Sequence, residues 1–245
     1  MSEIPGWASS SFTSAGRTRP TFRKGTGPGV IVIHEIPGIT PNVLRFAEEV
    51  VDAGFTVVMP SILGTPPGVT HSAASVGKTV LKVCISKEFS NWALQSTSPI
   101  TGWLKALAAE LHEELGGPGV GALGMCFSGG FALAMMVDGH VAAPVLSQPS
   151  MPFGIGAARA ADLNLTPADL TAVKERVSAG CQVLGLRYRG DKAVGTRFDT
   201  LRKELGDGFL AVELEGKDHS VLTEHRDEPS VQRVLAFFQE KLISR

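Results

Sequence analysis

No excess of charge of either sign runs through these 245 residues: the formal net charge is −1, and no basic run or interleaved aromatic stripe is present. A chain so balanced has no field with which to gather a polyanion, so nucleic acid is not an expected partner. Long apolar runs are also missing. The most hydrophobic stretches are short and end at glycine or proline, which argues against a membrane span. The segment from Met1 to Lys24 is polar and rich in Ser, Thr, Gly and Arg, without the apolar centre of a secretory signal. A cytoplasmic location is the expectation. Cysteine is scarce: Cys84, Cys126 and Cys181 are odd in number and widely spaced, so they suit neither a disulfide framework nor a zinc ligand set. Each thiol needs its own explanation. No internal repeat and no interdomain linker is visible, and no G-x-G-x-x-G follows the first strong strand, which disfavours a dinucleotide-binding oxidoreductase.

What is there alternates. "GVIVI" is a buried strand pattern, "TPNVLRFAEEVVDAG" is an amphipathic helix with Pro41 near its start, and "FTVVMP" is a second strand. The order recurs downstream: helix in "PITGWLKALAAELHEELGG", strand in "VGALGM", helix in "FSGGFALAMMVDG", strands in "APVLS" and "CQVLGLRY". Then come a helix in "TRFDTLRKELG", a strand in "FLAVEL" and a closing helix in "EPSVQRVLAFFQEKLIS". Such alternation predicts an α/β fold, a mostly parallel sheet with helices on both faces. We expect an N-terminal extension over 1–24 and one domain over 25–245. The stretches 61–97 and 148–178 break the pattern with Pro, Gly and Ser clusters, as segments that shape a substrate pocket do.

Within "GALGMCFSGGFALAM", Cys126 stands in a glycine-rich turn between a strand and a helix. That is the outline of a nucleophile elbow, in which the residues two positions to either side, here Gly124 and Ser128, must be small. A helix starting there turns its unpaired N–H groups toward the sulfur, which favours thiolate. A buried cysteine that merely fills space is the plain alternative. The elbow requires a carboxylate after a later strand and a histidine after the last one. Asp191 follows "CQVLGLRYRG", and His219 follows "FLAVELEGKD". At the strand ends of an open sheet all three would converge, His219 taking the thiol proton and Asp191 orienting the ring. Asp218 adjoins His219 in sequence and is poorly placed for the same role. His71, His112, His140 and His225 read as loop or surface residues, His34 as structural, and Cys84 and Cys181 as core thiols. In "HEIPGI", after the first strand of the crossover, the Ile36 amide pairs with that of Phe127 as oxyanion donors, and Glu35 emerges beside the centre.

Together "HEIPGI", "GMCFSGG", the G-x-x-x-x-G-D strand end at Asp191 and "GKDHSV" resemble the dienelactone hydrolase family. The resemblance implies a single-domain α/β hydrolase with a Cys126, Asp191, His219 triad. It implies action on ester or lactone carbonyls of small molecules, with no metal or organic cofactor. It also implies a role for Glu35 in forming the thiolate. The chain departs from the family pattern at Ser128, where the first of paired glycines is usual. The arginines that bind a substrate carboxylate in the family have no motif here; Arg159, Arg187 and Arg189 are the candidates. A non-catalytic relative with a redox-responsive or ligand-capturing thiol is the alternative, although Asp191 and His219 would be superfluous to it.

Overall fold

The computed structural model describes residues 3–86, 89, 94–153 and 156–243, without the side chains of Lys82, Cys84 and Ile85. In chain order the elements are β1 (Ala8–Ser14), β2 (Arg17–Lys24), β3 (Gly29–Ile33), α1 (Pro41–Asp52), β4 (Thr56–Pro60), α2 (Ala73–Ile85), α3 (Ile100–Leu115), β5 (Val120–Met125) and α4 (Gly129–Met135). There follow β6 (Val141–Ser147), α5 (Ala157–Ala161), α6 (Pro167–Ser178), β7 (Val183–Tyr188), α7 (Arg197–Leu205), β8 (Phe209–Leu214) and α8 (Glu228–Leu242). Among the described residues the strands form one eight-stranded sheet in the order β1-β2-β4-β3-β5-β6-β7-β8. From β4 to β8 every pairing is parallel; only β1–β2 and β2–β4 are antiparallel.

Both faces of the sheet are covered, and the side-chain alternation of the strands divides the core accordingly. Ile31 and Ile33 of β3 join the cluster that includes Leu104 of α3, Phe131 of α4, Val173 of α6 and Phe198 of α7. Val30 and Val32 join the opposite cluster, with Phe46 of α1 and Phe237 of α8. This is why β3 shows no polar alternation: all five of its residues are buried. Helix α1 starts where its chemistry allows, with Thr40 Oγ1 accepting the Val43 N–H at 3.2 Å and Pro41 in the first turn. It buries Val43, Phe46, Ala47 and Val50, one stripe at helical spacing. Each large apolar side chain so buried contributes on the order of 1.5–3 kcal/mol.

The N-terminal boundary differs from the sequence expectation. Residues 8–24, expected as an extension, are β1 and β2, and β2 pairs with β4 from Thr21↔Pro60 to Lys24↔Val57. The pattern hid them because a hairpin at the sheet's end buries little. In "ASSSFTS" only Phe12 and two serines are half-covered, and Phe12 lies edge-on to Trp103 at 5.1 Å. The stretch 148–178, where Pro, Gly and Ser clusters break the pattern, contains the twelve-residue α6, capped by Thr166 Oγ1 on the Asp169 N–H.

Candidate active site

The strand ends bring the predicted residues to one edge of the sheet. In the parallel register Ile33 of β3 lies beside Gly124 of β5, so the loop carrying Glu35 and Ile36 leaves the sheet next to the turn carrying Cys126 and Phe127. Cys126 has φ +57°, in the left-handed region that a non-glycine residue adopts only at a cost. The cost is sustained by tight packing around it. A Cβ at Gly124 would stand 2.1 Å from the Ser128 carbonyl oxygen, and one at Gly129 would stand 2.6 Å from Pro149 Cα. Only glycine fits at either place.

Ser128, the departure from the family pattern, is fully buried and hydrogen-bonded. Its Oγ accepts the Met125 N–H at 2.9 Å and lies 3.1 Å from the carbonyl oxygens of both Ile33 and His34, either of which can receive its proton. The hydroxyl therefore bridges the elbow and the end of β3, joining the turn that carries Phe127 to the loop that carries Ile36. Phe127 supplies apolar backing, edge-on to Phe89 at 6.0 Å and Phe131 at 5.9 Å.

His219 Nδ1 donates to Asp191 Oδ2 at 2.7 Å, and Asp191 Oδ1 accepts the Ala193 N–H at 2.9 Å. Because a carboxylate can only accept, Nδ1 carries the proton and Nε2 is left for the other neighbour. That neighbour is Cys126: burial works against the imidazolium, but hydrogen bonds to Asp191 and Cys126, and the charges they carry, push the His219 pKa up to about 11. Asp218 Oδ1 lies 4.0 Å from His225 Nε2.

Glu35 is 2% exposed, and its burial raises its pKa against the bonds it receives. Thr223 Oγ1 donates to its Oε1, while Ser220 Oγ at 2.9 Å and Gln148 Nε2 at 3.2 Å donate to its Oε2. The charges of His219 and His71 also reach it. Among the described residues no hydrogen bond joins it to the Cys126 sulfur. Glu35 thus ties the loop after β3 to the loop that carries His219.

Gln148, Ser220 and Thr223 were not singled out from sequence. Gln148 had a legible signal, its place one residue beyond β6, and its φ of +35° marks a second strained strand end in the same site. Arg197 was also missed: 2% exposed, it donates to six backbone carbonyls, of Met151, Pro152, Arg159, Asp162, Ala193 and Val194. It pins the loop after Asp191 to the segment after β6. An arginine opening an amphipathic helix reads as a surface residue, so nothing in the pattern pointed to it.

Of the arginine candidates for a substrate carboxylate, Arg187 is committed elsewhere. Arg187 is bound to Glu213 at 2.6 Å and lies over the Phe198 ring at 4.4 Å; Arg189 pairs with Glu215 at 3.2 Å. Arg159 sits on α5. His112 and His140 face each other with Nδ1 atoms 3.3 Å apart at the far edge of the sheet, and His225 Nδ1 accepts the Ser220 N–H at 3.3 Å. Cys181 is half-buried at the margin of the core, and burial raises the pKa of its thiol, which suits an inert sulfur. The surroundings of the Cys84 side chain lie outside the described residues. No group of three or more metal-ligating side chains occurs among the described residues, and no helix among them is long and apolar enough to cross a membrane.

His34 makes a testable contribution. Burial pulls its pKa down to about 4, outweighing its bond to the Glu35 carbonyl at 2.9 Å, with the Arg19 charge lowering it further. Between pH 6.5 and 4 the unfolded chain therefore binds a proton that the folded chain refuses. Stability falls as the pH drops through that window, by at most about 3 kcal/mol from this residue. Urea unfolding at pH 7 and at pH 4.5 is expected to show a smaller loss for His34→Gln than for the wild type. An equal loss would remove His34 as a cause.

A parallel sheet wrapped by helices, with a strained residue at a strand-to-helix turn and an Asp–His pair on later strand ends, is an α/β-hydrolase fold. The profile of the dienelactone hydrolase family matches residues 17–154, and the chain belongs to that family. Solved structures agree on the fold. A dienelactone hydrolase from Anabaena variabilis superposes with a TM-score of 0.67 at 15% identity over 96% of this chain and 98% of its own. A cold-adapted esterase from an Arctic intertidal metagenomic library gives 0.64 at 15% over 99% and 100%. The thioesterase domain from the curacin biosynthetic pathway gives 0.58 at 11% over 96% and 99%. No curated protein matches the sequence.

Proposed function

We propose that this chain is a cysteine-dependent hydrolase of carboxylic esters or lactones that works without a cofactor. The observation that carries this is the left-handed Cys126 at the elbow, with His219 between it and Asp191. With the His219 pKa so raised, the Cys126 proton rests on His219 Nε2 and the sulfur attacks the carbonyl carbon. The Ile36 and Phe127 amides receive the oxyanion. As the carbon–oxygen bond breaks, the leaving oxygen takes the proton from His219; in a lactone that oxygen stays attached as the hydroxyl end of the acyl chain. His219 then draws a proton from water, whose oxygen attacks the thioester and releases the acid and Cys126.

Glu35 is the further acid–base group of this reading, the one the family resemblance assigns the thiol proton. Both its oxygens are engaged by Ser220, Thr223 and Gln148, so that exchange requires one of these bonds to be given up. An enol-lactone of the kind the family is named for is one substrate in the class. Arg187 is held by the buried Glu213, so recognition of a substrate carboxylate does not fall to it. The expected setting is the cytoplasm, where a thiol nucleophile stays reduced. A panel of lactones and aryl esters offered to the purified protein, with Cys126→Ala as blank, is expected to yield turnover of at least one class above that blank. Turnover equal in the two proteins throughout would refute the reading.

A further inference from the structure

Gln148 is fully buried one residue beyond β6, at a φ of +35° that a residue with a side chain adopts only at a cost. Each of its four polar atoms has a partner. Its N–H donates to the Leu186 carbonyl at 2.7 Å, and its own carbonyl accepts the Ser150 hydroxyl at 2.8 Å. Oε1 accepts from Ser147 Oγ, which turns Nε2 toward Glu35 Oε2 at 3.2 Å.

The strain is spent where the amide reaches. β5 lies between β3 and β6, with Ile33 beside Gly124 and Met125 beside Ser147. The bond from Gln148 to Glu35 therefore crosses the end of β5, the strand that runs into Cys126. The main chain ties the same segment to that turn, since the Ser150 N–H donates to the Cys126 carbonyl at 3.0 Å.

The three donors to Glu35 are not equivalent. Ser220 and Thr223 are hydroxyls, which donate to a carboxylate and accept from a carboxylic acid, so they serve Glu35 in either state. The Gln148 Nε2 only donates, so its bond favours the carboxylate. Among the described residues no lysine or arginine pairs with Glu35. The charges of His219 and His71 reach it, while the adjoining His34 is kept neutral by burial.

We propose, on the reading of Glu35 as an acid–base group of the hydrolase, that Gln148 is its positioning residue, holding the carboxyl in the ionised form across the end of β5. Only the carboxylate can receive a proton from the site. Turnover thus sets in as Glu35 ionises, at a pH that the Gln148 amide holds down.

Infrared titration of the full chain reads the protonated Glu35 carboxyl directly, as the carbonyl band that Glu35→Gln lacks. Gln148→Met, of like length but without a donor, is expected to raise the midpoint of that band by about one pH unit, a tenfold change in proton affinity. The acid limb of kcat/KM is expected to move with it, and to stay where it is when Gln148→Met is made in the Glu35→Gln background. A residue that merely fills space would move neither. Gln148→Glu keeps the outline of the side chain and reports even where Gln148→Met does not fold. Its two facing carboxyls share one proton, expected to be held at least about one unit above the wild type. The band is read without substrate, so an absence of ester turnover in every protein would count against hydrolysis alone. A midpoint left unmoved by either folded variant, or a limb that moves as far without Glu35, would overturn the assignment.

Discussion

Cys126→Ala is expected to lower kcat/KM for an activated aryl ester by about 10⁴-fold or more, and His219→Ala by a similar factor, with the melting temperature of each close to that of the wild type. The size follows from the division of labour. Without the sulfur no acyl-enzyme forms. Without the imidazole neither the thiol proton nor the leaving oxygen has a partner, since Asp191 is joined to Cys126 only through His219. The double variant is expected to be no slower than the worse single one, because groups that act in one step fail together. Losses that multiplied in the double variant would mean that Cys126 and His219 serve separate steps.

Gly124→Ala is expected to be the most damaging single methyl group at the elbow. The added carbon would stand 2.1 Å from the Ser128 carbonyl oxygen and 3.1 Å from Gly129 Cα, both main-chain atoms that no rotamer change can move. The turn must open, and it is tied down on both sides: Ser128 Oγ to Met125 and β3, and the Cys126 carbonyl to the Ser150 N–H at 3.0 Å. A destabilisation of about 3 kcal/mol or more is expected, above the usual range for overpacking because backbone meets backbone. Activity should fall further than stability, since the sulfur and the Phe127 amide shift together. Gly77→Ala, at a helical position with open space around its missing Cβ, is the control, expected to leave turnover unchanged and to raise stability by up to about 1 kcal/mol. Chemical unfolding and ester turnover on the three proteins check both parts; a Gly124→Ala protein as stable and active as the control would contradict the packing described for the elbow.

The parts of the molecule legible in the sequence are those where local chemistry and global fold make the same demand. A strand buried on both faces is apolar nearly throughout, so β3, β4 and β5 could be read from composition alone. The strained turn at Cys126 could be read because a positive-φ residue between strand and helix forces small residues at fixed offsets, and the Asp191–His219 pairing because strand ends were already located. What escaped was long-range or poorly buried. Glu35 meets Ser220 and Thr223 across 185 and 188 residues, and nothing in three polar side chains announces that they share one carboxylate. Arg197 is satisfied wholly by main-chain carbonyls, which leave no trace in residue type. β1 and β2 lie at an end of the sheet, where half-exposure removes the apolar signal.

The central claim is that the Cys126 sulfur forms a bond to substrate carbon. Its most direct test is rapid acid quench of the enzyme during turnover of an aryl ester, followed by proteolysis and mass spectrometry. The expected result is one acyl group on the peptide bearing Cys126, absent from Cys126→Ala and accumulating in any variant that slows attack by water. An acyl group on another side chain, or undiminished turnover with no adduct in Cys126→Ala, would contradict it.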